Sequence, residues 1–192
     1  MIRLLLASTS PQRRAILEQL GIPFDVIAPS YEEHDPEGIR PADAVRAHAL
    51  GKARSVADLA AGRPVLGVDT EVVADGDVFG KPGSRDEAAK MLRALAGRRH
   101  DVVSGLCLRG DDFEEVGHDT TRVAFRPLSE REIASYLATG EWEGRAGAYA
   151  IQGRGAGFVE RIEGDYLNVV GLPVALLLQV LARRFPGVYG AG

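Results

Sequence analysis

The chain opens on an apolar strand that runs directly into a helix, and this junction restricts the fold more than any other feature. Residues 3–7 read as a buried strand, and Ser8-Thr9-Ser10 as a hydroxyl-rich turn. Ser10 stands where an N-cap belongs and Pro11 at the first helical position. The helix is predicted to run to Leu20 and stop at Gly21, with Pro23 beyond. Free backbone N–H groups at the helix start, three hydroxyls and the guanidinium groups of Arg13 and Arg14 meet at this turn. Such a turn can hold phosphate oxygens, although the same residues also read as a well-capped helix with two solvated arginines.

A chain of 192 residues with 45% hydrophobic content can bury one good core, or two lobes around a cleft. Its net charge of −4 argues against a general nucleic-acid binder. No apolar run reaches the roughly 20 residues that span a bilayer, and no secretory signal is read at the start. Neither a membrane nor a nucleic acid is therefore expected as a partner. A single cysteine, Cys107, forms no internal disulfide, which fits a reducing, cytoplasmic location. It lies in an apolar segment and reads as core filling. Among 23 basic residues only Lys52, Lys81 and Lys90 are lysines. A position that keeps lysine on an arginine-rich chain is a candidate for a compact point charge. Lys90 reads as a mid-helix surface residue, which leaves Lys52 and Lys81.

The remaining pattern alternates. A strand is predicted over 24–28, an acidic loop over 29–40 and a long helix over 41–62. A short buried strand over 64–68 leads to Asp69 at its end. Residues 71–74 and 78–79 flank Asp75-Gly76-Asp77, a hairpin signal. Ser84-Arg85-Asp86-Glu87 and Ser129-Glu130-Arg131-Glu132 are capping boxes that open helices to about Ala96 and Gly140. Between them lie two long strands, 100–109 and 114–125. A hairpin of 158–162 and 167–170 turns at Gly164-Asp165, and Pro173 starts a last helix to about Phe185. This mixture predicts an α/β fold with a mixed sheet and flanking helices. One domain is expected over 1–186, with 187–192 as a loose tail.

Asp69 at a strand end could bind a hard cation, serve as a base, or cap a turn with Thr70. Glu32 and Glu33 lie in the acidic loop. A carboxylate from it converging with Asp69 would make an oxygen-donor site for Mg²⁺ or Mn²⁺. The four histidines show no metal spacing, so zinc is not expected. Gly153-Arg154-Gly155-Ala156-Gly157 lacks the spacing of a dinucleotide fingerprint, and no Walker A sequence is present.

Together these segments resemble the Maf family of nucleoside triphosphate pyrophosphatases over nearly the whole chain. The resemblance is carried by Leu6-Ala7-Ser8-Thr9-Ser10-Pro11-Gln12-Arg13-Arg14, Tyr31-Glu32-Glu33, Gly67-Val68-Asp69-Thr70-Glu71-Val72-Val73 and Gly80-Lys81-Pro82. It continues through Ala146-Gly147-Ala148-Tyr149-Ala150-Ile151-Gln152-Gly153, Gly164-Asp165-Tyr166 and Val170-Gly171-Leu172-Pro173. The resemblance implies an elongated α/β fold similar to inosine triphosphate pyrophosphatase, with two lobes around a cleft. It also implies hydrolysis of a nucleoside triphosphate to monophosphate and pyrophosphate with a divalent cation, Mg²⁺, Mn²⁺ or Co²⁺. On it, Asp69, Lys52, Lys81 and Arg13 are the catalytic candidates, and Glu33 and Asp69 the metal ligands. Ser8, Ser10, Arg14, Gln12, Thr70 and Gln152 are the substrate-binding candidates. A homodimer is expected by the same resemblance.

Within the family, a dTTP/UTP branch carries arginine, threonine and glutamine where this chain has Gln12, Thr70 and Gln152. A 7-methyl-GTP branch carries tryptophan, glutamine and glutamate. Two of the three positions match the pyrimidine branch, and Gln12 departs from both. Gln152 offers a donor and an acceptor, which suits a uracil or thymine edge. The expected substrates are therefore dTTP, UTP or modified pyrimidine nucleotides. The alternative is a non-catalytic nucleotide-binding regulator of cell division, whose signature would be loss of Glu33, Asp69 or Lys81.

Overall fold

Ser10 caps the first helix as its sequence position predicts, with extended backbone and a side chain that accepts from the Arg13 amide. The computed structural model describes residues 2–188. In chain order it contains β1 (Leu4–Ala7), α1 (Pro11–Gln19), β2 (Phe24–Ile27), α2 (Pro41–Arg54), β3 (Val65–Ala74) and β4 (Asp77–Phe79). Then follow α3 (Arg85–Leu95), β5 (Arg99–Arg109), β6 (Glu114–Phe125), α4 (Glu130–Leu137), β7 (Val159–Glu163), α5 (Tyr166–Val170) and α6 (Val174–Arg184). The seven strands form one mixed sheet in the order β2-β1-β3-β5-β6-β7, with β4 paired to β3. β1 pairs in parallel with β2 and with β3, and the β3–β4 and β6–β7 pairs are antiparallel. This is the mixed α/β class the sequence predicts.

The chain divides into two compact units. The first takes in Met1–Asp69, Ser104–Asp119 and Gly171–Gly192, and the second Thr70–Val103 and Thr120–Val170. In the first, β1 is buried along its whole length, as a central strand with its Leu-Leu-Leu-Ala run should be. Its register sets Leu5, Leu6 and Ala7 beside Val65, Leu66 and Gly67. Helix α2 packs close against the sheet because two glycines make room. A Cβ on Gly67 would lie 2.1 Å from the Ala49 carbonyl oxygen, and one on Gly105 2.0 Å from that of Val45. Cys107 fills core beside Leu5, Ala53 and Val65, and burial pushes its thiol up to about 12, so it is no nucleophile.

The second unit is organised around an aromatic cluster. Phe125 meets His100, Tyr149 and Phe158 edge-on, and Tyr136 packs on Phe158. Helix α4 begins with the full reciprocal capping box of Ser129 and Glu132. At α3 the box is incomplete. Ser84 accepts from the Glu87 amide, but the Glu87 carboxylate accepts from Gly83 N instead of Ser84 N.

Four expectations are corrected. Helix α2 stops at Arg54 rather than Gly62, and a separate 3-10 turn follows at Ala57–Leu59. Residues 64–68 and 71–74 are not two strands. They belong to one continuous strand, so Asp69 sits inside β3 and not at its end. Residues 167–170 form helix α5 and not a strand: Asp165 Oδ1 accepts from the Leu167 amide and starts a turn that Asn168 then anchors. Asn168 is fully buried, and its side chain donates to the Val102 carbonyl and to Thr121 Oγ1. Finally, α4 ends at Leu137 rather than Gly140, while α6 ends at Arg184, within one residue of the expected Phe185. The Asp75-Gly76 hairpin is confirmed, with positive φ at both residues, as the favoured two-residue turn requires. Of the expected loose tail, residues 189–192 lie outside the described residues. Among the described residues no helix is long and apolar enough to cross a membrane.

Candidate active site

The first unit gathers the charged candidates around the ammonium of Lys52. Helix α2 presents this residue one turn beyond His48. Lys52 Nζ donates to Asp69 Oδ1 at 2.5 Å and lies 2.6 Å from Glu33 Oε1. The side chains of Lys52 and Asp69 are only 12% and 10% exposed, whereas Glu33 is 54% exposed. The Lys52–Asp69 pair is thus drawn largely out of water, where Coulomb attraction is strong and loss of either partner is costly. The Glu33 pairing reaches into solvent and contributes less.

Arg13 completes the group. Its Nε donates to the Gly171 carbonyl at 2.9 Å and its Nη1 to Ser8 Oγ at 3.1 Å. Burial lowers its pKa, against the pull of the Asp69 and Glu33 charges. Ser8 is buried and its Oγ also accepts from the Ser10 amide at 3.2 Å. Ser10 Oγ donates to Gln12 Oε1 at 2.9 Å. The hydroxyls expected to face phosphate are therefore engaged in shaping the turn and holding Arg13. Arg14 is half-buried, and its Nε has no hydrogen-bond partner among the described residues.

Asp69, Lys52, Glu33, Arg13 and Ser8 are thus brought together from β3, α2, the 29–40 loop, α1 and the β1–α1 turn. Lys81, Thr70 and Gln152 belong to the second unit. Lys81 is exposed and pairs with no carboxylate among the described residues, and Gln152 is exposed. Gln152 precedes a 3-10 turn over Arg154–Phe158, not the helix of a dinucleotide site. That turn is fastened by Glu141, whose Oε2 accepts from the Arg154 amide at 2.7 Å.

Sequence reasoning missed several residues that shape the site. The Gly171 carbonyl that holds Arg13 has no side chain to signal it, although it falls within the quoted Val170-Gly171-Leu172-Pro173 segment. His48 shows no metal spacing in the sequence. It is 1% exposed, and its two ring nitrogens engage Tyr31 and Asp35. Its place four residues before Lys52, on the same helix face, was the available signal.

The chain is similar to several known proteins. A dTTP/UTP pyrophosphatase of Symbiobacterium thermophilum is 49% identical over 183 residues, which is 95% of this chain and 94% of that protein. A dTTP/UTP pyrophosphatase of Pelotomaculum thermopropionicum is 46% identical over 95% of this chain and 97% of its own. One from Nitratidesulfovibrio vulgaris is 50% identical over 94% of this chain and 87% of its own. The profile of the family described as Maf-like protein matches residues 3–184. The chain belongs to the Maf family.

Proposed function

We propose that this protein hydrolyses the α–β phosphoanhydride of dTTP and UTP, or of modified pyrimidine nucleoside triphosphates, giving the monophosphate and pyrophosphate. The observation that carries the reading is the buried Lys52–Asp69 pair with Glu33 and Arg13 around it. The names of the relatives support the substrate class.

In the reaction a water oxygen attacks the α-phosphorus, the bond to the bridging oxygen breaks, and pyrophosphate leaves with the electron pair. The water proton goes to a base. Positioning and charge neutralisation carry most of such a reaction, since little covalent chemistry falls to the protein. Asp69 orients the water and takes its proton. Lys52 holds the Asp69 carboxylate in a single orientation and offsets negative charge next to the reacting phosphorus. Arg13, fixed in direction by Ser8 and Gly171, brings a buried positive charge to the phosphate oxygens. Lys81 supplies a further cation for the leaving pyrophosphate, and Thr70 and Gln152 read the base.

Arg13 and Lys52 balance Glu33 and Asp69, so the group is neutral before a triphosphate arrives. A triphosphate therefore needs added positive charge. Glu33 and Asp69 direct carboxylate oxygens at one cation position, which Lys52 Nζ takes. Both carboxylates are hard oxygen donors and would hold Mg²⁺ or Mn²⁺ beside Lys52, and the ion would neutralise phosphate charge and make water more acidic. The test is incubation of purified protein with dTTP, UTP and GTP and a divalent cation, with separate assays for pyrophosphate and orthophosphate. Pyrophosphate with monophosphate is expected. Orthophosphate as the first product would refute the reading, and binding without turnover would favour the non-catalytic regulator.

A further inference from the structure

The 29–40 loop contains no helix or strand, yet it runs back along α2 with side-chain contacts at successive turns. Ser30 Oγ donates to the Ser55 carbonyl, Glu33 meets Lys52, and Arg40 meets Asp43. These contacts are exposed in whole or part. The fixed point between them is His48. Its Nδ1 lies 3.2 Å from the Tyr31 hydroxyl and its Nε2 2.9 Å from Asp35 Oδ1. Tyr31 and Asp35 stand two residues before and two residues after Glu33. One buried ring thus fastens the loop on both sides of the residue that faces Lys52.

The bonding is self-consistent. With its proton on Nε2, the ring donates to the Asp35 carboxylate and accepts the Tyr31 O–H at Nδ1, so both nitrogens are satisfied. The Tyr31 ring is seated by a missing side chain, because a Cβ on Gly51 would lie 2.2 Å from it. His48, Gly51 and Lys52 share one face of α2, so the helix that holds the loop also presents the ammonium. Neither Glu33 nor Lys52 touches another buried anchor from the loop in the described contacts.

We infer that His48 is a positioning residue of this site: through Tyr31 and Asp35 it fixes the acidic loop so that Glu33 stays against Lys52. This rests on the pyrophosphatase reading for its effect on rate, but not for its effect on the loop. Glu33 is 54% exposed and could otherwise spend much of its time in water. A loop contact of this kind is lost by local opening that leaves the core intact.

The experiment compares wild type with His48→Leu, His48→Gln and Tyr31→Phe. Leucine fills the space without hydrogen bonding, glutamine can keep the donor to Asp35, and Tyr31→Phe removes only the hydroxyl in case His48→Leu fails to fold. Hydrogen exchange is followed by mass spectrometry for residues 29–36 and for α2. Pyrophosphate release from dTTP is measured in the wild-type and Glu33→Ala backgrounds. Exchange in the loop should quicken about tenfold or more in His48→Leu, with α2 nearly unchanged, and His48→Gln should lie between it and wild type. The rate in the wild-type background should fall about tenfold, and little further in the Glu33→Ala background, since the two changes act through one contact. Loop exchange equal to wild type in both His48→Leu and Tyr31→Phe would overturn the inference. So would an undiminished effect of His48→Leu when Glu33 is already absent. Were the wild-type protein to release no pyrophosphate, the proposed function would fall alone, and loop exchange would still decide the role of His48.

Discussion

Lys52 and Asp69 stand seventeen positions apart in sequence and meet at 2.5 Å, an ammonium on a helix against a carboxylate inside a strand. Both are nearly buried. Helix α2 can approach the sheet this closely only because Gly67 and Gly105 have no side chains beneath it. The chemistry of the pair and the packing of the helix are therefore one problem.

Asp69→Asn keeps the shape but removes the charge that orients water and binds Lys52. The rate of pyrophosphate release is expected to fall by on the order of 10² or more. Because Asp69 is buried within β3, a stability cost of about 1–3 kcal/mol is also expected, from an ammonium left with only the exposed Glu33. Urea unfolding of the variant beside a dTTP assay separates the two effects. Activity within a few-fold of wild type would remove Asp69 from the chemistry.

Gly67→Ala would drive a methyl group into the Ala49 carbonyl and push α2 outward. We expect about 1–3 kcal/mol of destabilisation, the scale of overpacking, together with a lower rate as Lys52 moves from Asp69. Gly157→Ala is the control, since nothing lies within 4 Å of its added Cβ and its φ is not in the left-handed region. If Gly67→Ala unfolds at the same urea concentration as Gly157→Ala, the helix–sheet contact at Gly67 does not constrain the fold.

His100 makes stability depend on pH. It is buried against Phe125 and Tyr149, and burial pushes its pKa down to about 4 from an ordinary value near 6.5. Between these values the unfolded chain binds a proton that the folded chain refuses. Stability therefore rises with pH across this window, and the His100 contribution is complete above about pH 6.5 and lost as pH falls toward 4. The loss approaches about 3 kcal/mol. Urea midpoints between pH 4.5 and 7.5 should decline more steeply toward acid in wild type than in His100→Leu. Parallel pH profiles for the two proteins would show that His100 does not titrate differently on folding.

Excess chelator should abolish turnover, and Mg²⁺ or Mn²⁺ should restore it, because the charges of Arg13, Lys52, Glu33 and Asp69 cancel and a divalent ion would offset much of the triphosphate charge. Binding of Mn²⁺ measured by calorimetry should weaken about tenfold or more in Glu33→Gln. Full turnover in chelator would leave Glu33 and Asp69 with no metal to hold.

Much of this was written locally in the chain. The Ser10-Pro11 helix start, the Asp75-Gly76 turn and the Ser129–Glu132 box each depend on residues a few positions apart, and each formed as read. What was not legible depended on distant partners. The 167–170 segment is apolar enough for a strand, but buried Asn168 finds its partners at Val102 and Thr121, far away in sequence. Asp69 looked like a strand end because Thr70 and Glu71 interrupt the apolar run, yet pairing carries β3 through them. In the site, residue types named Arg13, Lys52, Glu33 and Asp69, while the Arg13–Gly171 bond and the His48 grip on the loop arise only on folding.

Base choice gives the last prediction. Gln152 precedes a turn fastened by Glu141, so its side chain projects from a defined backbone. Gln152→Glu replaces a neutral group with both donor and acceptor by an acceptor alone. A carboxylate cannot donate to a pyrimidine carbonyl, but it can accept from the N1–H and N2 amine of guanine. Turnover of dTTP and UTP should therefore fall by about 1–3 kcal/mol in kcat/KM, while that of GTP falls less. Glu141→Ala should loosen the turn without altering the donor and acceptor pattern, and so lower all nucleotides together. If Gln152→Glu also lowered dTTP, UTP and GTP by the same factor, Gln152 would belong to the structure of the turn and not to recognition of the base.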